Sequence, residues 1–176
     1  MKQKLNIEEM GRMDIASFKS SPKLPLIVVL DNVRSLHNVG SIFRTADAFR
    51  IEAIWLCGIT ATPPSVEIHK TALGAEDAVD WRYFSSTLDA VAELKRLGYC
   101  VAAIEQCHDS QMLTTLSIDS RPHALILGNE VKGVAQEVVD AADVVLEIPQ
   151  YGTKHSMNVS VTAGIVMWEW LRQIGV

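Results

Sequence analysis

Residues 148–164, IPQYGTKHSMNVSVTAG, concentrate small polar side chains in an otherwise apolar chain. Upstream, Asp143 to Ile148 reads as a buried strand closed by Pro149, because proline has no N–H to give to a sheet ladder. Downstream, Ser156 stands where a helix cap is expected and Asn158 follows. Val166, Met167, Trp168, Trp170 and Leu171 then continue as an apolar helix. A polar loop between a core strand and a core helix lies at the carboxyl end of a strand, where open α/β sheets bind ligands. The plain alternative for this loop alone is a turn with a cap.

The same strand, loop and helix unit recurs along the chain. Leu26–Leu30 is a continuous apolar run of the central parallel type, ended by Asp31 and Asn32. Asn38-Val39-Gly40-Ser41 then opens a helix carrying Ile42, Phe43, Ala46 and Phe49. Further strands are expected at 54–57, 79–84, 99–104 and 125–127, and a helix at 67–73. Another helix is expected after Thr87 as cap, with Leu88, Val91, Leu94 and Leu97 on one face and Gly98 at its end. The loop with Pro63 and Pro64 should be exposed. Gly128 to Gly133 leads into a helix with Val134, Val138 and Val139 inside. Alternating strands and helices imply α/β architecture: a mostly parallel sheet with helices on both faces. Residues 1–23 read as a polar lead-in segment with at most one short helix around 7–17, and residues 24–176 as a single domain.

The 176 residues suffice for one domain with a substantial core. No apolar run reaches the roughly 18 residues of a membrane span, and no signal-peptide pattern opens the chain, so a cytoplasmic protein with no membrane partner is expected. Cys57, Cys100 and Cys107 form no CxxC pair, which points to reduced, mostly buried thiols and to no metal site. Residues 1–50 hold 8 Lys/Arg against 5 Asp/Glu, whereas residues 51–176 hold 8 against 16, within a net charge of −5. A basic N-terminal face could therefore still meet phosphates.

Three polar clusters follow strands and should share one sheet edge: Asn38 to Arg44, Gly128 to Glu130, and the opening loop with Ser156 and Asn158. They bring one Arg, one Glu, two Asn and one Ser together without paired carboxylates, a set suited to holding and orienting. Taken singly, Asn38 could simply cap a helix, Arg44 could be solvated, and Glu130 could be a carboxylate at a helix N-terminus. Neither a dinucleotide fingerprint nor a phosphate-binding P-loop is present.

The runs Asn38–Phe49, Leu127–Glu130 and Ile148–Ser160 resemble, in order, the three motifs of the SpoU (TrmH-like) RNA ribose methyltransferases of the SPOUT superfamily. Lys70–Ala75 is also similar, and the likeness spans about residues 26–172. The resemblance implies S-adenosyl-L-methionine as methyl donor and a ribose 2′-hydroxyl of RNA as acceptor, with transfer RNA favoured over ribosomal RNA. It also implies a homodimer and a deep C-terminal trefoil knot, which periodicity would never suggest because knots are nearly absent from folds. Carried over, the catalytic set is Arg44 with Asn38, Glu130, Ser156 and Asn158. The cofactor set is Gly128, Ile148 and Met157 with Leu127, Asn129 and Glu105. Arg50 stands where the family usually has Gly, Gln150 where Met is common, and Met157 where Leu is common.

Methyl transfer from a sulfonium needs in-line positioning and exclusion of water. The hydroxyl must also lose a proton, and a guanidinium normally stays charged. Arg44 therefore either accepts that proton in a desolvated pocket beside a phosphate, or binds phosphate and orients the hydroxyl while another group takes it. An RNA-binding module without catalysis and a nucleotide-using flavodoxin-like enzyme are the other classes. The second lacks a phosphate loop after Leu30, where Asp31-Asn32-Val33 stand.

Overall fold

The computed structural model describes residues 2–6 and 8–175. Seven strands form one parallel sheet: β1 (Leu24–Asp31), β2 (Ile51–Cys57), β3 (Asp80–Phe84), β4 (Cys100–Ile104), β5 (Gln111–Met112), β6 (His123–Leu127) and β7 (Val144–Glu147). Their spatial order is β3-β2-β1-β6-β4-β7-β5. Every strand predicted from an apolar run is present. The two-residue edge strand β5 was too short to leave a periodic signal.

The central position of β1 and β6 follows from their composition: Leu26, Val28, Val29, Leu30, Ala124, Leu125 and Ile126 are fully buried. Such strands can only sit between two helical layers. One layer packs Leu26, Val28, Leu30 and Leu125 against Ile42, Phe43, Ile68, Val166, Met167 and Trp170. The other packs Val29, Val101, Ala103 and Ile126 against Val91, Leu94 and Val138. The first layer holds α2 (Leu36–Ala48), α3 (Val66–Ala72) and α7 (Val159–Ile174); the second holds α5 (Thr87–Arg96) and α6 (Gln136–Ala141).

Between α2 and α3 the approach is close enough to require glycine. A Cβ on Gly40 would stand 2.2 Å from both Ile68 O and Thr71 Oγ1. Thr71 donates to the His37 carbonyl at 2.9 Å. The Lys70–Ala75 run thus has a packing role.

Several expectations are corrected. The lead-in helix α1 lies at Ile15–Ser20 rather than around 7–17, because Asp14 accepts from Ser17 N–H and Phe18 drops into the core; within the expected span, residue 7 lies outside the described residues. Ser35 caps α2, which puts Asn38 inside its first turn, and Ser86 precedes α5 in place of Thr87. Thr87 instead donates to the buried Asp31 carboxylate at 2.6 Å. Leu97 ends α5 and is 45% exposed, so it leaves the apolar face. Pro63 is buried and only Pro64 is exposed. Cys57 is buried, with burial pushing its thiol up to about 12, while Cys100 and Cys107 are half-buried.

Candidate active site

In this sheet the chain runs outward from β1 through β2 to β3, then returns to the far side of β1, so strand order reverses beside β1 and β6. The crevice outside the carboxyl ends of strands at such a reversal is where open α/β sheets bind ligands. A cavity of about 500 Å³ lies there, at the ends of β4, β6 and β7. Its apolar wall includes Leu127, Leu146, Ile148, Met157 and Val159, and its polar rim includes Glu105, Asn129, Glu130, Gln150 and Asn158.

The loop after β6 is bent so tightly that a side chain on Gly128 is excluded: a Cβ would lie 2.1 Å from both Gly133 C and Val134 N. Asn129 and Gly133 exchange backbone hydrogen bonds of 3.0 and 2.9 Å. Asn129 Oδ1 accepts from Val131 and Lys132 N–H, and its amide donates to the Asn32 carbonyl at 2.7 Å. Glu105 supports the loop from below, one oxygen accepting from Val134 N–H at 2.9 Å and the other from Gln106 N–H at 2.8 Å.

Glu130 reaches from this loop to the opening of α2. Its two oxygens accept from the backbone N–H groups of Arg34 and Ser35, each at 2.9 Å, and Asn38 Nδ2 donates to it at 3.1 Å. Burial opposes its charge, but the amides of Arg34 and Ser35 and the Asn38 side chain outweigh that and hold its carboxyl below the usual range. Asn38 Oδ1 in turn accepts from Asn158 Nδ2 at 3.1 Å. Asn158 caps α7 by accepting from Ser160 N–H at 2.8 Å and Val161 N–H at 3.3 Å. One continuous chain of hydrogen bonds therefore ties together the openings of two helices and the loop after β6, across 120 residues of sequence.

Of the residues singled out from sequence, Gly128, Leu127, Asn129, Ile148, Met157 and Glu105 all line the cavity, as do Glu130, Ser156 and Asn158. Asn38 stands behind the wall, joined to it through Glu130 and Asn158. Ser156 does not cap the helix; Asn158 does, and Ser156 is an exposed loop residue. Arg44 does not line the cavity. Six residues beyond Asn38, it projects about 120° away from Asn38 around α2, is exposed, and makes no hydrogen bond or ion pair with any described residue. Sequence reasoning missed Gln106 and His155, which meet through a 2.8 Å bond from Gln106 Nε2 to the His155 carbonyl. They are 49 residues apart and belong to no local pattern. Among the described residues no cluster of three or more His, Cys, Asp and Glu side chains could hold a metal ion, and no helix is long and apolar enough to cross a membrane.

Known proteins share this architecture and are similar in sequence. The 23S rRNA (guanosine-2'-O-)-methyltransferase RlmB of Nitrosomonas europaea is 36% identical over 149 residues, covering 84% of this chain and 56% of that protein. The chain thus spans little more than half the length of that relative. The A. aeolicus TrmH/SpoU tRNA modifying enzyme superposes with a TM-score of 0.80 at 28% identity, over 90% of this chain and 80% of that one. An AdoMet-bound rRNA methyltransferase from Sinorhizobium meliloti also gives 0.80, at 30% identity over 87% of this chain and 61% of that one. The model of the SpoU rRNA Methylase family matches residues 25–168, a stretch that contains all three loops around the cavity, and the chain belongs to that family.

Proposed function

We propose that this chain is an S-adenosylmethionine-dependent methyltransferase that modifies a ribose 2′-hydroxyl of transfer RNA or ribosomal RNA. The observation that carries the reading is the bonded set Glu130–Asn38–Asn158 at the edge of the cavity, supplied by the three loops whose motifs define the family. The cavity fits the cofactor by size, since small-ligand pockets run from about 300 to 1,000 Å³. It also fits by chemistry: Leu127, Leu146, Ile148 and Met157 offer apolar faces for an adenine, and the carboxylates of Glu105, Glu130 and Glu147 suit a cationic sulfonium. S-adenosylmethionine would supply an activated methyl group. Gly128 keeps that wall free of side-chain bulk, and Asn158 and Glu130 fix the loops. Arg44 is left unengaged by the described residues.

The remaining parts of the reading are a homodimer and a knot. The apolar stripe Val161, Ile165 and Trp168 on α7 is 53%, 37% and 54% exposed, and Phe49 stacks beside Trp168 at 5.9 Å. Burial of that stripe by a second copy is favoured, and α2, which carries Arg44, packs on the same helix. A second copy would thus bring its surface to Arg44 and exclude water there, so that Arg44 grips a phosphate and orients the hydroxyl. A trefoil knot is supported by the insertion of β6 between β1 and β4, and by the bonds that tie residues 155 and 158 to the loop after β4 and to α2. Free cysteines are in keeping with work in the cytoplasm.

The test incubates the protein with S-adenosylmethionine carrying a labelled methyl group and with unmodified transfer RNA or ribosomal RNA transcripts. Label in alkali-resistant dinucleotides is expected, as 2′-O-methylation requires; label only in bases, or none with either RNA, would contradict the reading. Arg44→Ala should lose turnover while keeping affinity for S-adenosylhomocysteine, the demethylated product. Sedimentation showing a monomer at micromolar concentration would remove the dimer.

A further inference from the structure

Directly after Gln150, which lines the cavity, comes an aromatic ring that none of the described residues engages. Tyr151 is 95% exposed, the most exposed of the large apolar side chains, and makes no hydrogen bond with any described residue. Exposing a whole phenol ring beside a site wastes the largest burial that a tyrosine offers. The segment that presents it is anchored at both ends. His155 is held through its carbonyl by Gln106, and Ile148 lines the cavity wall. Between them Gly152 stands clear of every other element.

The segment that carries the ring has charge of one sign, whereas the carboxylates of Glu105, Glu130 and Glu147 line the cavity itself. Residues 148–158 contain Lys154 and His155 and neither Asp nor Glu. From the facing loop, Val131 is 76% exposed and Lys132 is exposed beside it. Glu130, the nearest carboxylate of that loop, is committed to the Arg34 and Ser35 amides. An aromatic face flanked by lysines is the arrangement with which proteins hold unpaired nucleotides, the base stacking on the ring and the phosphates meeting the cations. The geometry points to Tyr151 as a stacking platform for an unpaired RNA base next to the nucleotide whose ribose enters the site, with Lys132 and Lys154 on its phosphates. This inference rests on the RNA methyltransferase reading and assigns its substrate class: an unstacked loop or end rather than a regular duplex.

The test compares Tyr151→Ala, Tyr151→Phe and the parent protein. Their affinity for a fluorescein-labelled single-stranded RNA of about 12 nucleotides is measured beside their affinity for S-adenosylhomocysteine. Tyr151→Ala should weaken RNA binding about tenfold or more, the lower part of the range for one stacked base. Tyr151→Phe should restore it to within about twofold, since the ring and not the hydroxyl stacks. Cofactor-product affinity should stay unchanged in both. Lys132→Gln and Lys154→Gln should each reduce the slope of log affinity against log salt by about 0.7. RNA affinity unchanged in Tyr151→Ala would overturn the inference, as would a loss of dimer on sedimentation, which would show the ring covered by a second copy. A parent that binds no S-adenosylhomocysteine while Tyr151→Ala still weakens RNA binding would instead sink the methyltransferase reading and leave the platform standing.

Discussion

The two loops that meet over the cavity are built in opposite ways. In residues 128–135 the polar groups apart from the exposed Lys132 side chain are committed within the chain: Asn129 closes the loop on itself, Glu130 holds the start of α2, and Val134 and Ala135 N–H donate to Glu105 and Asp31. In residues 149–157, Tyr151 to Ser156 are exposed, and one carbonyl bond, from Gln106 to His155, ties the segment across the cavity. The first loop has a shape set by its own bonds and can hold a ligand without reorganising. The second leaves its side chains free for a partner. Changes at Gly128, Asn129 and Glu130 in the first should therefore cost stability and cofactor affinity together, and changes at Tyr151 and Lys154 in the second should cost only recognition.

The strongest way to break this contrast is Gly128→Ala. With backbone atoms 2.1 Å from the new Cβ, the loop must shift, which is expected to cost about 1–3 kcal/mol of stability, as overpacking does. Binding of S-adenosylhomocysteine should fall with it. Chemical denaturation and calorimetry measure both; a variant with parental values in each would show that the loop is not the rigid floor. Next in size, Asn158→Ala removes the α7 cap and the link to Asn38, with an expected cost of about 1 kcal/mol in urea unfolding.

Acid should separate the loops by another route. The Glu130 carboxyl is held below its ordinary value, so its contribution to stability is fully present above about 4.3, the unfolded value, and is lost as pH falls through the lowered one. Cofactor-product affinity follows the folded carboxyl, so it should stay insensitive to Glu130 titration down to the ordinary glutamate value and fall only as pH drops through the lowered one. Glu130→Gln should remove that acid limb while the salt dependence of RNA binding, set by Lys132 and Lys154, persists. An acid limb unchanged in the variant would assign it elsewhere.

The smallest effect is expected away from both loops. Arg50 adopts φ 50° in the turn between α2 and β2. That left-handed conformation suits glycine and strains a residue with a Cβ. Arg50→Gly should stabilise the fold by at most about 1 kcal/mol, because the relieved strain is partly offset by glycine's greater freedom when unfolded. Thermal unfolding at or below the parental midpoint would deny it.

How far the sequence revealed these regions follows from the range of the interactions. The strands were legible because continuous apolar runs such as Leu26–Leu30 can only be buried. The site's loops were legible because each polar cluster follows such a run. That Arg44 stands outside the cavity lining was not legible, because its direction depends on the rotation of α2 against α3 and α7, which Gly40 and Thr71 help to set from across the interface. Ser156 and Asn158 are both capping types two residues apart, and only the bond from Asn158 to Asn38 decides between them. The fixed floor rests on Glu105, and a lone glutamate after a strand carries no sign of the loop it will support 29 residues later.

The most direct test of the whole account is a calorimetric titration of the parent protein with S-adenosylhomocysteine. Saturable one-site binding that weakens in Glu130→Ala and Asn158→Ala is the predicted result. No heat of binding at about 1 mM ligand, where even an affinity worth only about 4 kcal/mol would register, would contradict a cofactor role for the cavity.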